Sequence, residues 1–212
     1  MTPVADPTLD FERELHDDGA VWVLGCDEVG RGAIAGPVAV GISAVRITCG
    51  PHPEGLRDSK MLSEKRREAM APLAAQWCEA SAVGLAEAAE VDSVGIIAAL
   101  GLAGRRALAQ LHGLGVGILD SVVVLDGSHD YLTPALLTPP RIVTRIKADR
   151  DCASVAAASV IAKVHRDRLM IGYDDVHPGY SWTANKGYGS AAHYAGLEAH
   201  GPSPLHRLSW LH

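Results

Sequence analysis

Eight residues near the start of the chain, Gly25-Cys26-Asp27-Glu28-Val29-Gly30-Arg31-Gly32, constrain the fold more than any other segment. The apolar run Val21-Trp22-Val23-Leu24 leads into them and Pro37-Val38-Ala39-Val40-Gly41-Ile42 follows; both read as buried strands. Glycines supply the turn between the two, because glycine takes backbone conformations that cost other residues a clash. Asp27 and Glu28 are therefore expected where the first strand ends. Neighbouring carboxylates repel and are costly to desolvate, so a fold keeps them near its core only with a compensating cation or strong donors. A divalent metal would serve; a solvated surface pair is the ordinary alternative, and this segment alone does not separate the two.

With 212 residues, 48% of them hydrophobic, the chain suits one large domain or a domain with a small appendage. No apolar stretch approaches the roughly 18 residues of a membrane span, and residues 1–18 lack the basic start and apolar block of a signal peptide, so a cytoplasmic protein is expected. Cys26, Cys49, Cys78 and Cys152 form no C-x-x-C pair and are expected as free thiols. His193, His200, His206 and His212 show no ligand spacing and read as surface or packing residues.

The formal charge of -6 argues at first against a polyanionic partner. Its distribution alters that argument. Asp6, Asp10, Glu12, Glu14, Asp17 and Asp18 against Arg13 alone leave -5 in residues 1–20 and -1 in the remainder. In that remainder basic residues recur in short groups: Lys60, Lys65, Arg66 and Arg67; Arg145, Lys147 and Arg150; Lys163, Arg166 and Arg168; Lys186 and Arg207. Taken singly each reads as a solvated face; several converging on one groove would bind a nucleic-acid backbone.

The spacing sets residues 1–20 apart as an acidic lead-in, irregular or briefly helical, before a domain over 21–212. Ser63 is placed to cap a helix running to about residue 79, with Pro72 expected to kink it or delay its start. Residues 80–85 suit a third strand completing an antiparallel meander. A helix is predicted over 91–111, a strand over 121–125 ending at Asp126-Gly127, and a strand over 141–147 ending at Ala148-Asp149. An Ala-rich helix follows over 152–168, and a closing helical segment over 188–200. The sum is an α/β fold, a mixed β-sheet flanked by helices with a C-terminal helical segment.

In open sheets of this kind sites gather just beyond strand ends, and Asp27, Glu28, Asp126 and Asp149 all fall there. With no protein cation evidently reserved for them, four such acids point to a site for a hard, oxygen-preferring ion, Mg2+ or Mn2+. Two such ions can activate water and stabilise a leaving oxygen in phosphodiester hydrolysis.

At these residues the chain resembles the type 2 ribonuclease H family, ribonuclease HII, over nearly everything after residue 20. The resemblance rests on Asp27-Glu28-Val29-Gly30-Arg31-Gly32 with Ala35-Gly36-Pro37-Val38, on Asp58-Ser59-Lys60 with Leu62-Ser63, and on Leu125-Asp126-Gly127. It continues through Lys147-Ala148-Asp149, the run from Ser154 to Val164 with Arg166-Asp167, Lys186-Gly187-Tyr188-Gly189, and Gly201-Pro202-Ser203-Pro204-Leu205-His206-Arg207. It implies a ribonuclease H-like fold and hydrolysis of RNA in RNA-DNA hybrids, including a lone ribonucleotide in duplex DNA, with 3'-hydroxyl and 5'-phosphate products. Asp27, Glu28, Asp126 and Asp149 match the family's metal-binding catalytic acids. Gly30, Arg31 and Gly32 match the loop whose backbone recognises the 2'-hydroxyl, and Tyr188 the tyrosine at the RNA-DNA junction. Lys60 and Lys163 are candidates for phosphate contact; Lys163 could instead pair with a neighbour, and Asp58 reads as a turn residue. Asn185 stands where the family often has His, and Gly189-Ser190 where it often has Pro-Thr. A monomer is expected, with RNA-DNA hybrid and ribonucleotide-containing duplex DNA as partners and no membrane.

Other functions fit less well. Gly30, Gly32 and Gly36 give a spacing one residue too long for the dinucleotide fingerprint, and no phosphate-binding G-x-x-x-x-G-K-[ST] occurs. A non-enzymatic nucleic-acid module has no use for four converging acids. The nearest alternative is a related two-metal nuclease or transposase, and activity on all-DNA duplex would favour it.

Overall fold

The computed structural model describes residues 6–211; residues 1–5 of the acidic lead-in and His212 lie outside that range. In chain order the elements are α1 (Asp10–Asp17), β1 (Trp22–Val29), β2 (Val38–Val45), α2 (Glu64–Trp77), β3 (Ala80–Ala86), α3 (Ala88–Val94) and α4 (Ile96–Gly113). There follow β4 (Ser121–Asp126), β5 (Arg141–Arg145), α5 (Ala148–Asp151), α6 (Ala153–Val176), α7 (Trp182–Asn185) and α8 (Ala191–His200). The strands form one mixed sheet of order β3-β2-β1-β4-β5. β1, β2 and β3 make the antiparallel meander, while β4 and β5 run parallel to β1. The carboxyl ends of β1, β4 and β5 therefore share one edge of the sheet.

Side chains alternate across a strand, and the core follows that rule. Trp22, Leu24 and Cys26 of β1, with Val123 and Leu125 of β4, pack under α4 against Ala99, Leu100, Ala103, Ala107 and Leu111. Val23, Val122 and Val124 face the opposite way, toward Val155 of α6 and Leu15 of α1. Small residues let both helices come close. A Cβ on Gly25 would lie 2.3 Å from the Ser154 carbonyl carbon, and one on Gly41 would lie 2.6 Å from Ala158 O, both in α6. On the other face a Cβ on Gly84 would lie 1.9 Å from Ala103 O of α4.

Several boundaries differ from the sequence reading for local reasons. β1 does not stop before the acids: its pairing with β2 continues to Val29↔Ala39, which puts Asp27 and Glu28 inside the strand. The helix expected over 91–111 is divided at Gly95, whose positive φ of 79° ends α3 and starts α4 on a new axis. α2 begins on its Ser63 cap, which accepts from Arg66 N, so Pro72 causes no late start. α6 runs on to Val176, beyond the expected 168. α8 starts only at Ala191 on a Ser190 cap, leaving Tyr188 in the turn before the helix.

The acidic lead-in reaches the core of the sheet. Glu12 of α1 is buried and accepts from Ser154 N at 2.8 Å and Ser154 Oγ at 2.7 Å. Its carboxylate thus satisfies an otherwise unpaired donor at the N-terminus of α6 and complements the helix dipole.

Close packing at Gly84 and open space at Gly172 make opposite predictions. Gly84→Ala should destabilise the protein by about 1–3 kcal/mol through overpacking against α4. Gly172 lies within α6 with no atom near its missing Cβ, so Gly172→Ala should stabilise by about 0.5–1 kcal/mol. Urea unfolding of the two variants beside the wild type measures both.

Candidate functional site

The strand register brings the acids together. Cys26 pairs with Leu125 between parallel β1 and β4, so the next residues, Asp27 and Asp126, are neighbours at the sheet edge. By alternation both side chains leave toward α6, whereas Glu28 leaves by the other face. Asp149 arrives from β5 through Lys147, a residue with φ of 62° that swings the chain into α5. Its backbone N–H points to Asp126 Oδ1 at 3.4 Å. Asp149 therefore belongs to a helical turn after the strand, and the left-handed residue before it is the device that aims it.

Electrostatics at this edge are strained toward protonation. Burial pushes the Asp27 carboxyl up to about 8, helped by the charges of Glu28 and Asp126. Burial and Asp126, with Asp58 beyond it, raise Asp149 to about 6. Glu28 is raised by burial, against which Arg31 acts. Two protein cations do reach the acids, contrary to the sequence reading: Lys60 Nζ lies 3.4 Å from Asp149 Oδ2, and Arg31 Nη1 lies 3.6 Å from Glu28 Oε1. Burial works to lower the Lys60 ammonium, but Asp27, Asp58 and Asp149 outweigh it and hold it above its ordinary value. Among the described residues neither Asp27 nor Asp126 makes an ion pair. Asp58 Oδ1 accepts from Lys60 N at 3.0 Å, which turns the chain so that Lys60 faces the acids.

Beside the acids lies the Gly30–Arg31–Gly32 loop, with Arg31 and Gly32 exposed. The turn carrying Tyr188 is laced to the same loop, since Ile34 N and Ala35 N donate to Gly187 O at 2.9 and 3.1 Å. The half-buried Tyr188 ring sits against Arg166 Cζ at 5.5 Å and Lys163 Nζ at 5.7 Å. Lys163 is paired with Asp167 at 2.7 Å beside the tyrosine. The departures near Tyr188 are absorbed locally: Asn185 Oδ1 accepts from Gly187 N, Asn185 Nδ2 donates to Tyr180 O, and Ser190 caps α8.

Other expectations change on burial. Arg166 and Arg207, read as members of surface basic groups, are fully buried. Lys186 is buried and paired with Glu64, and Arg168 is paired with Glu68. Of the histidine string, His193 and His206 are core residues. His193 Nδ1–H donates to Tyr188 O at 3.0 Å, while its Nε2 accepts from Trp182 Nε1–H and faces His206 Nε2 at 3.0 Å. Burial lowers both imidazoles, His206 to about 4. The partners of Arg166 and Arg207 include carbonyls 129 to 177 residues away, which no local spacing reveals; the histidine contacts span only 5 to 13 residues, but only the fold shows that they are buried. An apolar groove of about 420 Å³ on the α4 side, lined by Ile97, Leu102 and Tyr131 among others, contains none of the acids.

A sequence profile of the family described as Ribonuclease HII matches residues 24–212. A Ribonuclease HII of Streptomyces avermitilis is 46% identical over 209 residues, 98% of this chain and 85% of that protein. Among solved structures, the PCNA:RNase HII complex from Archaeoglobus fulgidus superposes with TM-score 0.70 at 24% identity, covering 90% of this chain and 95% of that one. Bst-RNase HIII in complex with Mn2+ gives TM-score 0.71 at 23% identity, covering 92% and 68%. At those identities the two structures establish the likeness of fold. Among the described residues no helix is long and apolar enough to cross a membrane.

The raised Asp27 gives a stability prediction with a definite sign. In metal-free protein the folded chain keeps a proton up to about pH 8 that the unfolded chain releases near 3.8. The stability this confers is complete below the unfolded value and is lost as pH rises through the folded one. Asp27→Asn, which cannot ionise, should therefore raise the melting temperature of chelator-treated protein at pH 8, with the gain shrinking toward pH 4. Equal melting of wild type and variant at pH 8 would show that Asp27 is not an uncompensated carboxylate.

Proposed function

Because this chain belongs to the ribonuclease HII family, a ribonuclease H endonuclease acting on RNA-DNA hybrids, we propose that it also cuts at single ribonucleotides embedded in duplex DNA. Cleavage would use two Mg2+ or Mn2+ ions held among Asp27, Glu28, Asp126 and Asp149, leaving 3'-hydroxyl and 5'-phosphate ends. The observation that carries this reading is the gathering of Asp27, Asp126 and Asp149 at the shared carboxyl edge of three parallel strands, continuous with a loop of exposed backbone.

The donor set fits a hard cation. Four carboxylates supply oxygen ligands, and burial with mutual repulsion holds Asp27 and Asp149 above their ordinary range, a penalty that a cation relieves. Among the described residues no three acidic, histidine or cysteine side chains are already drawn into one metal-binding group; Asp27, Asp126 and Asp149 would draw together to hold an ion, and Glu28, which leaves β1 by the other face, would join from that side. Such ions, when bound, lower the pKa of an attacking water and neutralise charge on the leaving oxygen.

The chain's own residues bind and orient. Lys60, exposed at the acids, contacts a backbone phosphate of the cut strand. The N–H groups of Gly30–Arg31–Gly32 meet the ribose 2'-hydroxyl, the group by which a protein tells RNA from DNA. The Tyr188 ring lies against the sugar at the junction, and Lys163, beneath it, is a further phosphate contact. The chain acts as a monomer on the duplex.

Asp126→Asn should abolish cleavage while preserving the far-ultraviolet spectrum and melting behaviour, because it removes a ligand charge at constant volume. Cleavage of a singly ribonucleotide-substituted duplex at near wild-type rate would remove Asp126 from the site. An all-DNA duplex serves as the control, and its cleavage would return the reading to a general nuclease. At Tyr188 the two substitutions separate ring from hydroxyl: Tyr188→Phe should keep most activity on that duplex, and Tyr188→Ala should lose about tenfold or more, since such a stacking contact contributes about 1–3 kcal/mol. Melting temperatures taken alongside distinguish lost contact from lost stability.

A further inference from the structure

Arg166 of α6 and Arg207 near the C-terminus are among the largest fully buried side chains of the protein. Neither has a carboxylate partner among the described residues. Every donor contact they make goes to a backbone carbonyl. Arg166 donates from Nε to Pro37 O at 2.8 Å, from Nη1 to Lys186 O at 2.8 Å and from Nη2 to Ala35 O at 3.1 Å. Arg207 donates from Nη2 to Gly30 O at 2.8 Å, from Nη1 to Arg31 O at 3.0 Å, and from Nε and Nη2 to Gly36 O at 3.2 and 3.1 Å.

Buried guanidinium groups without counter-charges are a costly way to hold a loop, and apolar side chains of similar size often stabilise as well or better. What the fork supplies is direction. A rigid, planar set of donors fixes several carbonyls at once in a way that no apolar residue can. With the carbonyls of Gly30 and Arg31 drawn inward, the N–H groups of Arg31 and Gly32 have no acceptor among the described residues and lie in the exposed part of the loop. Glycine at position 30 is part of the device: its φ is 82°, and a Cβ there would meet Arg166 Nε at 2.1 Å. Arg166 also holds the carbonyl of Lys186, a non-glycine residue at φ 53° that turns the chain toward Tyr188, whose ring the same guanidinium faces.

We infer that Arg166 and Arg207 are positioning residues that set ribose selectivity: Arg207, holding the Gly30 and Arg31 carbonyls, fixes the Arg31 and Gly32 amides outward as donors for a 2'-hydroxyl before substrate arrives, and Arg166, holding Ala35, Pro37 and Lys186, ties Tyr188 to the same frame. The inference rests on the reading of that loop as the 2'-hydroxyl contact. It makes two residues that touch no substrate responsible for discriminating one sugar from another.

The test compares affinities for a duplex DNA containing one ribonucleotide and for the identical all-DNA duplex, by fluorescence anisotropy with Ca2+ in place of Mg2+. Arg207→Lys keeps the charge but loses the fork. It is expected to melt cooperatively and to bind all-DNA duplex within about twofold of wild type, while its preference for the ribonucleotide falls about tenfold, the loss of one well-placed hydrogen bond. Lys60→Ala, removing a phosphate contact, should weaken both affinities in proportion and leave the ratio intact. A ratio kept by Arg207→Lys overturns the inference alone; absence of any preference in the wild type refutes the 2'-hydroxyl reading and the inference with it. Should Arg207→Lys fail to fold, 15N relaxation of the free wild-type protein decides: Arg31 and Gly32 amides with order parameters near 0.85, like those of β1, support preorganisation, and values below about 0.6 overturn it.

Discussion

The approach of α6 to the sheet is the contact on which the site depends. Gly25 and Gly41 leave no side chain between strand and helix, and the Ala-rich face of α6 adds little bulk of its own. Ser43 Oγ donates to Ser154 O at 2.6 Å across the gap, and Glu12 caps the helix from α1. A helix seated this closely covers the face from which Asp27 emerges, so a carboxylate that would be ordinary at a distant edge becomes buried and reluctant to ionise. The same helix carries Lys163 and Arg166 along its length to the loop and to Tyr188. One packing distance thus sets both the electrostatics of the acids and the placement of the groups beside them.

The charges divide by task. Acidic side chains collect where three parallel strands end, because parallel strands must all finish on the same edge. Lys60 and Arg31 contact two of the four acids, yet leave Asp27 and Asp126 without an ion pair among the described residues. Many basic residues that the sequence offers as a nucleic-acid surface are instead structural. Arg67 binds Ser59 O and Leu62 O, Arg145 lies over Phe11, and Arg166 and Arg207 hold backbone carbonyls. The acidic excess sits in residues 1–20, and the backbone amides of the loop offer hydrogen-bond donors that no count of lysines and arginines records.

Of the three non-glycine residues with left-handed backbone among the described residues, two mark where the chain is bent toward the candidate site. Lys147 turns β5 into α5 and aims Asp149; Lys186 turns α7 into the Tyr188 segment. Such conformations persist only where surrounding contacts impose them, and here those contacts are identifiable: the Asp149 amide facing Asp126, and the Arg166 guanidinium holding the Lys186 carbonyl.

The sequence by itself determined the mixed sheet with its flanking helices, because apolar runs of strand length and helical periodicity are local signals that tertiary contacts had only to assemble. It also singled out Asp27, Glu28, Asp126 and Asp149 as candidates, since each stands near the end of such a run. Only the tertiary structure decided that Asp27 and Glu28 lie inside β1, because β2 pairing extends the strand past the point where hydrophobicity stops. It alone joined α1 to the core, since Glu12 finds its donors at Ser154, 142 residues away. It alone turned Arg166, Arg207, His193 and His206 from surface or packing residues into the frame behind the loop and Tyr188. A guanidinium or imidazole reads as polar in any sequence, and whether it meets water or a buried carbonyl is settled by where the rest of the chain folds around it.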